Sequence, residues 1–120
     1  MKILLATSRV GELEKFTSGL GLDKHEPLLL AGSAEEILDI VSNHKLSLII
    51  IDDNLSGSDT FDLIRSILGI DAMINTAVLT DMDEKDFHEA GEGLGILMSL
   101  PLNPGEEDGR EIMSRLKQVL

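Results

Sequence analysis

Short runs of aliphatic residues alternate with amphipathic segments along the chain. The clearest run is Leu48-Ile49-Ile50-Ile51, and four consecutive aliphatic residues predict a strand that is buried on both faces, as in a parallel sheet. Comparable runs predict strands at residues 3–6, 27–31, 46–51, 76–80 and 95–100. Each run is followed by apolar residues at helical spacing, so strand and helix alternate throughout.

Local signals mark where the first three helices begin and end. Apolar positions from Val10 onward predict the first helix. Ser33 followed by Glu36 predicts a capping box at the start of the second helix, with Ser33 as the N-cap. Asp59 is a good N-cap for the third helix, and Gly69 predicts its end.

The last two helices carry weaker signals. Asp81 or Asp83 is expected to cap a short fourth helix, which Gly91, Gly93 and Gly95 end. Asn103-Pro104 predicts the start of the fifth helix, with proline at its first position. Gly109 lies inside that helix, where glycine costs about 1 kcal/mol relative to alanine.

Five strand–helix units in order predict the architecture. Short connections and right-handed crossovers lead to a doubly wound parallel sheet in an α/β fold. For five units the flavodoxin-like strand order 2-1-3-4-5, with five helices, is the natural arrangement. At 120 residues the chain is expected to form a single domain, 1–120.

Composition and charge narrow the functional classes. Ten basic and 22 acidic residues give a net charge of −12, which disfavours binding to nucleic acids or anionic membranes and suits basic partners or a plain solvated surface. Cysteine is absent, so thiolate chemistry and cysteine metal sites are excluded. Tryptophan and tyrosine are absent too, which argues against flavin stacking. Without an apolar span or a signal peptide pattern, we expect a cytoplasmic protein.

Three landmarks at the predicted strand ends resemble one known family. They are Asp52 followed by Asn54-Leu55-Ser56-Gly57 and Asp59, then Val78-Leu79-Thr80, and then Leu100-Pro101-Leu102. With the five units and the length, they resemble the receiver domains of response regulators in two-component signalling. The resemblance implies that Asp52 is the candidate phosphoacceptor and Thr80 the candidate switch hydroxyl. It also implies a phosphorelay signalling domain rather than an enzyme.

The residues that support phosphorylation in that family differ here. Thr7 and Ser8 stand where the family has two acidic residues that hold Mg²⁺. Leu100 replaces the family's lysine, and Leu97 its aromatic switch residue. Because neutral hydroxyls are poor Mg²⁺ ligands and phosphoryl transfer depends on neutralising charge, we expect a pseudo-receiver. No cofactor or metal is expected, with Asp52 a weak ligand at most, and Mg²⁺ is needed only if the chain is phosphorylated.

Each candidate residue also has an ordinary structural interpretation. Asp52 is a live phosphoacceptor or, as we favour, a carboxylate that only accepts hydrogen bonds in its loop. Arg9 pairs with Asp52 and replaces part of the metal's charge, or it is an exposed loop cation, the alternative we favour. Asp53 points away from Asp52 by strand alternation and is expected to be solvated or to cap a turn. Thr80 is a switch hydroxyl or an ordinary strand residue, and the Leu100-Pro101 bond is cis or trans.

Three functions follow. The leading one is a signalling domain that acts by protein–protein recognition, with a histidine kinase, an output domain or a regulatory target as partner, or a homodimer. The second is phosphorylation of Asp52 by a histidine kinase. The third is a small-anion or ligand site, built from Thr7, Ser8, Arg9 and Thr80.

Two surface features complete the candidates. An acidic run, formed by Asp81, Asp83, Glu84 and Asp86, is a metal or partner site, or simply carboxylates attracted to a helix N-terminus. His88 and the apolar residues 96–98 lie on the face of the fourth helix, fifth strand and fifth helix. The resemblance implies that partners or a second copy dock on this face, and the alternative is ordinary surface.

Overall fold

A computed structural model describes residues 1–23, 25–55 and 59–120, which form one parallel sheet flanked by helices. The strands are β1 (Ile3–Ala6), β2 (Leu29–Ala31), β3 (Leu48–Asp52), β4 (Asn75–Leu79) and β5 (Met98–Leu100). The α-helices of the described segments are α1 (Glu14–Gly19), α2 (Ala34–Asn43), α3 (Thr60–Ile70), α4 (Glu84–Ala90) and α5 (Glu106–Val119). The sheet order is β2-β1-β3-β4-β5. The predicted flavodoxin-like α/β fold is therefore confirmed.

The central strands are buried on both faces, as their aliphatic runs predict. Every residue of β1 and β3 is buried. Ile49 and Ile51 pack on one side of the sheet with α2, α3 and α4, whereas Leu48 and Ile50 pack on the other side with α1 and α5. Since both faces are covered, the polar side chains at the ends of β1, β3 and β4 meet at the carboxyl edge of the sheet.

The glycine inside α5 has a packing role. A β-carbon on Gly109 would overlap the carbonyl oxygen of Phe16, and one on Gly19 would overlap that of Glu106. The backbones of α1 and α5 therefore approach each other closely at these two glycines. The low helix propensity of Gly109 is the cost of that approach, because any side chain there would push the helices apart.

Three helix boundaries differ from prediction, and the first two concern α1 and α3. The first helical segment starts as a 3-10 turn, Val10–Leu13, before α1, and Val10 is 43% exposed. Leu13 and Phe16 are buried, whereas Val10, the first residue of the turn, lies at the exposed end of the segment. The predicted stop at Gly69 is also wrong, because α3 continues through it to Ile70.

The start of α5 was predicted two residues too early. Pro104 is buried in the preceding loop, and the helix begins at Glu106. The Asp108 carboxylate accepts a hydrogen bond from the Gly105 N–H at 2.8 Å, which satisfies a donor at the helix start and places the boundary there. At 14 residues α5 is the longest described helix. None of the described helices has both the length and the apolar character that crossing a membrane requires.

The predicted N-caps give mixed results. The Ser33 hydroxyl accepts a hydrogen bond from the Glu36 N–H at 3.1 Å, and the Asp59 carboxylate accepts one from the Asp62 N–H at 3.0 Å. Both caps are confirmed. Asp83 occupies the N-cap position of α4, but its side chain makes no capping hydrogen bond.

Candidate functional site

The candidate site lies where β1 and β3 end side by side. Ala6 pairs with Ile51 in the sheet, so the next residues, Thr7 and Asp52, are neighbours. The Thr7 hydroxyl donates to Asp52 Oδ2 at 2.7 Å. Asp52 is fully buried, and a carboxylate in that position must be paired or hydrogen-bonded to remain charged.

Arg9 supplies the opposite charge. Its Nε donates to Asp52 Oδ2 at 2.7 Å, and its Nη2 donates to Asp52 Oδ1 at 3.3 Å. The Asn54 N–H donates to Oδ1 at 3.0 Å. The side chain of Arg9 is only 15% exposed, so the favoured prediction of an exposed loop cation was wrong. The structure instead contains the Arg9–Asp52 pair, because the turn after β1 carries the guanidinium back over the end of β3.

The rest of the Arg9 guanidinium is engaged by the loop between β5 and α5. Its Nη1 donates to Asn103 Oδ1 at 2.9 Å, and its Nη2 donates to the carbonyl oxygen of Leu102. Glu12 lies 3.8 Å from Nη1. Sequence reasoning missed Asn103 as a site residue. Its signal was its position just after the fifth strand, at the edge of the sheet where Asp52 also lies.

The pair sets the charge state of both groups. Burial alone would raise the pKa of Asp52, but hydrogen bonds from Arg9, the Asn54 N–H and Thr7 outweigh it and lower that pKa below its ordinary value. The hydrogen bond to Asp52 raises the pKa of Arg9. Asp52 is thus a carboxylate and Arg9 a cation at neutral pH.

A second carboxylate network lies beside the first one. Asp53 accepts hydrogen bonds from Thr60 Oγ1 at 2.7 Å and from Thr80 Oγ1 at 2.9 Å. Strand alternation does separate Asp53 from Asp52, as predicted. The favoured picture of a solvated or turn-capping Asp53 was wrong, however, because two buried threonine hydroxyls bind it. Among the described residues the Thr80 hydroxyl donates to Asp53 and makes no hydrogen bond to Asp52.

The remaining predicted site residues lie apart from this centre. Ser8 is exposed and its side chain has no hydrogen-bond partner among the described residues. Leu100 is buried in the core on the α1 and α5 side of the sheet. Pro101 is exposed and follows a trans peptide bond, since no described bond is cis. Ser56 and Gly57 lie outside the described residues.

The donors around Asp52 do not suit Mg²⁺. This ion prefers several carboxylate and water oxygens in octahedral geometry, whereas both oxygens of Asp52 already accept hydrogen bonds from Arg9. Throughout the described residues, no group of three or more potential ligand side chains is arranged to hold a metal. The acidic run at the start of α4 therefore forms no such group either.

The four residues of the predicted anion site lie in different surroundings. Of its four residues, Ser8 is exposed, and Thr80 belongs to the Asp53 network. Each guanidinium nitrogen of Arg9 already donates to an acceptor within the chain. Thr7 and Arg9 therefore meet at Asp52, whereas Ser8 and Thr80 make no hydrogen bond to that pair among the described residues.

A groove lies on the face formed by α4, β5 and α5. We call it the α4–α5 groove, and its volume is about 740 Å³. Its walls include the buried Phe87 and the half-buried residues 96–98. Carboxylates are frequent among its lining residues: Glu84, Glu89, Glu92, Asp108 and Glu111. Arg115 also lines the groove, and its Nη2 lies 3.7 Å from Glu111.

Comparison with solved structures shows which class of fold this is. A response regulator receiver domain protein (CheY-like) from Methanospirillum hungatei superimposes with a TM-score of 0.80 at 15% identity, covering 98% of this chain and 94% of that one. A two-component response regulator from Clostridium difficile gives 0.81 at 20%, covering 99% and 98%. A response regulator protein from Burkholderia pseudomallei, with a phosphorylated aspartic acid, calcium ion and citrate, gives 0.75 at 17%, covering 96% and 65%.

These comparisons establish a fold. The chain has the fold of response-regulator receiver domains, in agreement with the resemblance seen at its strand ends. At 15% to 20% identity the likeness concerns the architecture. No family model matches the sequence, and no curated protein matches it.

Proposed function

We propose that this chain is a pseudo-receiver: a receiver-fold signalling domain that acts by binding other proteins, without Mg²⁺-dependent phosphorylation of Asp52. The observation that carries the proposal is the Arg9–Asp52 pair. The guanidinium supplies in a fixed position the positive charge that a buried carboxylate requires. In this proposal Arg9 holds Asp52 in one charge state.

The surroundings of Asp52 are unfavourable for phosphoryl transfer. An attacking carboxylate oxygen needs access to the donor, yet Asp52 is fully buried and both oxygens accept hydrogen bonds. Freeing them would break this ion pair, which costs about 2 to 4 kcal/mol, somewhat less than for a fully buried pair because Arg9 is 15% exposed. Transfer also needs cations at the moving phosphoryl group, and Leu100 is turned into the core instead of toward the site.

Recognition through the α4–α5 groove fits the rest of the molecule. Half-buried apolar residues form part of its wall, and carboxylates outnumber cations around it. With a net charge of −12, the chain attracts basic partner surfaces and speeds their encounter. We propose a signalling protein as the partner: a histidine kinase, an output domain or another regulatory target.

Backbone NMR with Mg²⁺ and beryllofluoride tests the proposal. The amide signals of Thr7, Arg9 and Asn54 are expected to stay in place at millimolar Mg²⁺, with or without beryllofluoride. Saturable shifts that spread from Asp52 toward β5 would overturn the proposal. They would make the chain a working phosphorylation switch.

A designed variant provides the positive control. Thr7→Asp, Ser8→Asp and Arg9→Met together place carboxylates beside Asp52 and remove the competing cation. This variant is expected to show Mg²⁺-dependent shifts around Asp52, because the site then offers hard oxygen ligands. If the wild type then shows no shifts, the cause lies in its site residues, because the same assay detects metal binding in the same fold.

The alternative is phosphorylation of Asp52 despite the missing partners. It is favoured by the position of Asp52 at the end of β3 and by the phosphorylated aspartic acid in the Burkholderia pseudomallei protein of the same fold. Incubation with acetyl phosphate followed by intact-mass analysis separates the two. A phosphoryl adduct present in the wild type and absent from Asp52→Asn would support the alternative.

A further inference from the structure

We infer that Asp53 is a positioning residue, which connects the start of α3 to the loop before α4 by hydrogen bonds. Through Thr80 it fixes the position of α4, which forms one wall of the α4–α5 groove. The link rests on the proposed function in one respect, that the groove is the docking surface. The link itself is built from hydrogen bonds that do not involve Asp52.

The hydrogen bonds form a continuous chain between two elements. Thr60 is the first residue of α3, and its hydroxyl donates to Asp53 Oδ1 at 2.7 Å. Thr80, the residue after β4, donates to the other oxygen, Oδ2, at 2.9 Å. The Thr80 hydroxyl in turn accepts from the Met82 N–H at 3.1 Å. One carboxylate therefore joins α3 to the segment that leads into α4.

Both hydroxyls are sheltered from water. Thr60 is 7% exposed and Thr80 is 5% exposed. A buried hydroxyl that loses its acceptor is left unsatisfied, at a cost of roughly the desolvation of that group. The Asp53 N–H also donates to the Leu79 carbonyl oxygen at 2.9 Å. This bond anchors the carboxylate-bearing residue to the end of β4, so its position is well defined relative to Thr80.

The loop that Thr80 holds leads directly to the groove. Met82 packs against the core cluster that contains Phe87, and Ile96 packs against the same cluster. Phe87 and Ile96 both line the α4–α5 groove. Because α4 begins two residues after Met82 and its Glu84 and Phe87 line the groove, a shift of the Thr80–Met82 segment is expected to move that wall of the docking surface.

The test is a set of NMR spectra in Mg²⁺-free buffer without a phosphodonor. Asp53→Ala is expected to shift the amide signals of Met82, α4 and Ile96, and to raise the exchange rate of the Met82 amide about tenfold. Thr80→Val, which keeps the shape and removes the hydroxyl, is expected to cause the same shifts. Asp53→Ala in the Thr80→Val background is expected to add no further shift in α4.

Controls separate the link from general effects. Asp86→Asn removes one exposed carboxylate from α4 and is expected to shift its immediate neighbours alone. Asp52→Asn is expected to act mainly around Arg9 and Asn103. Asp53→Asn, which keeps one acceptor oxygen, serves if Asp53→Ala does not fold, and is expected to cause smaller shifts along the same path.

Two results would overturn the inference. One is an unchanged Met82 amide and unchanged α4 signals in Asp53→Ala. The other is that Asp53→Ala shifts the α4 signals by the same amount in the wild-type and in the Thr80→Val background. The link from Asp53 to α4 would then not pass through Thr80. Failure of the proposed function would give a different result, namely NMR shifts of the wild type on addition of Mg²⁺ or beryllofluoride. Failure of this inference and failure of the proposed function can therefore be told apart.

Discussion

At the scale of single residues, Arg9 controls the chemistry of the site. Its planar guanidinium meets both oxygens of Asp52 and still reaches Asn103 and the Leu102 carbonyl across the β5–α5 loop. Lysine could not replace it, because an ammonium group has no such fork of donors. The residue thus joins three segments of the chain and supplies the charge that Asp52 needs.

Replacing Arg9 should change both the charge state and the stability of the site. In Arg9→Met the carboxylate stays buried without its cation, so the pKa of Asp52 is expected to rise above its ordinary value. Stability should fall by about 2 to 4 kcal/mol, somewhat less than for a fully buried pair because the Arg9 side chain is 15% exposed. Carbon-13 titration of the Asp52 carboxyl and urea unfolding measure the two effects.

The exposed pair of Arg65 and Asp62 offers a matched comparison. Its nitrogen–oxygen distance is also 2.7 Å, but Arg65 is 54% exposed. Arg65→Met is expected to change stability by less than about 1 kcal/mol and to leave the pKa of Asp52 unchanged. Equal effects of the two arginine variants would contradict the role given to Arg9.

The lowered pKa of Asp52 predicts how acid affects stability. The unfolded chain binds a proton at Asp52 at higher pH than the folded chain does, so unfolding takes up protons in acid. The contribution of Asp52 is complete above about pH 4 and is lost as pH falls through the folded pKa.

Urea unfolding at a series of acid pH values measures this contribution. The loss of stability below about pH 4 is expected to be shallower in Asp52→Asn than in the wild type. The comparison removes the effect of the other carboxylates, which both proteins share. Parallel profiles would show that Asp52 has the same pKa in the folded and unfolded chains.

At the scale of elements, the contact of α1 and α5 depends on two glycines. Gly109 and Gly19 face opposite backbones at a separation that leaves no room for a β-carbon. The apolar stripe of α5 supplies buried area on the same side, through Ile112, Met113 and Leu116. Close backbone approach and side-chain burial together dock the last helix against the sheet.

Two glycine substitutions with the same local chemistry should have opposite effects. Gly109→Ala is expected to destabilise the fold by about 1 to 3 kcal/mol, because overlap with the Phe16 carbonyl outweighs the better helix propensity. Gly69→Ala, in α3, has no atom within 4 Å of the new β-carbon and should stabilise by up to about 1 kcal/mol. The urea unfolding midpoints of the two variants measure these effects, and a Gly109→Ala variant more stable than the wild type would refute the packing argument.

At the scale of the whole molecule, the net charge of −12 influences both stability and encounter with partners. Like charges repel one another more strongly in the compact state than in the expanded unfolded chain. Salt screens this repulsion over distances of about 10 Å at 0.1 M. The acidic surface therefore costs stability at low ionic strength while favouring basic partners.

Salt and Mg²⁺ should stabilise the chain through this general effect alone. The urea midpoint is expected to rise with sodium chloride, because screening relieves the repulsion. Magnesium chloride should raise it as well, by the same increment in the wild type and in Asp52→Asn, because Asp52 is not expected to hold the ion. A larger magnesium increment in the wild type would indicate a specific site at Asp52.

The amino-acid sequence by itself determined the architecture and the family resemblance. Aliphatic runs such as Leu48 to Ile51 are buried on both faces of the sheet because both faces are covered by helices, and that pattern is local and periodic. The caps at Ser33 and Asp59 were equally predictable, since each depends on residues three apart. The position of Asp52 at the end of β3 followed from the same pattern.

Tertiary structure alone decided the partners of the polar residues. Arg9 and Asp52 are 43 positions apart, and Arg9 and Asn103 are 94 apart, so no spacing rule could join them. Thr80 binds Asp53, 27 positions away, and Gly109 is needed because Phe16 lies against it. Periodicity predicts which face of an element is buried, whereas the contacts between loop residues depend on how the elements are placed in space.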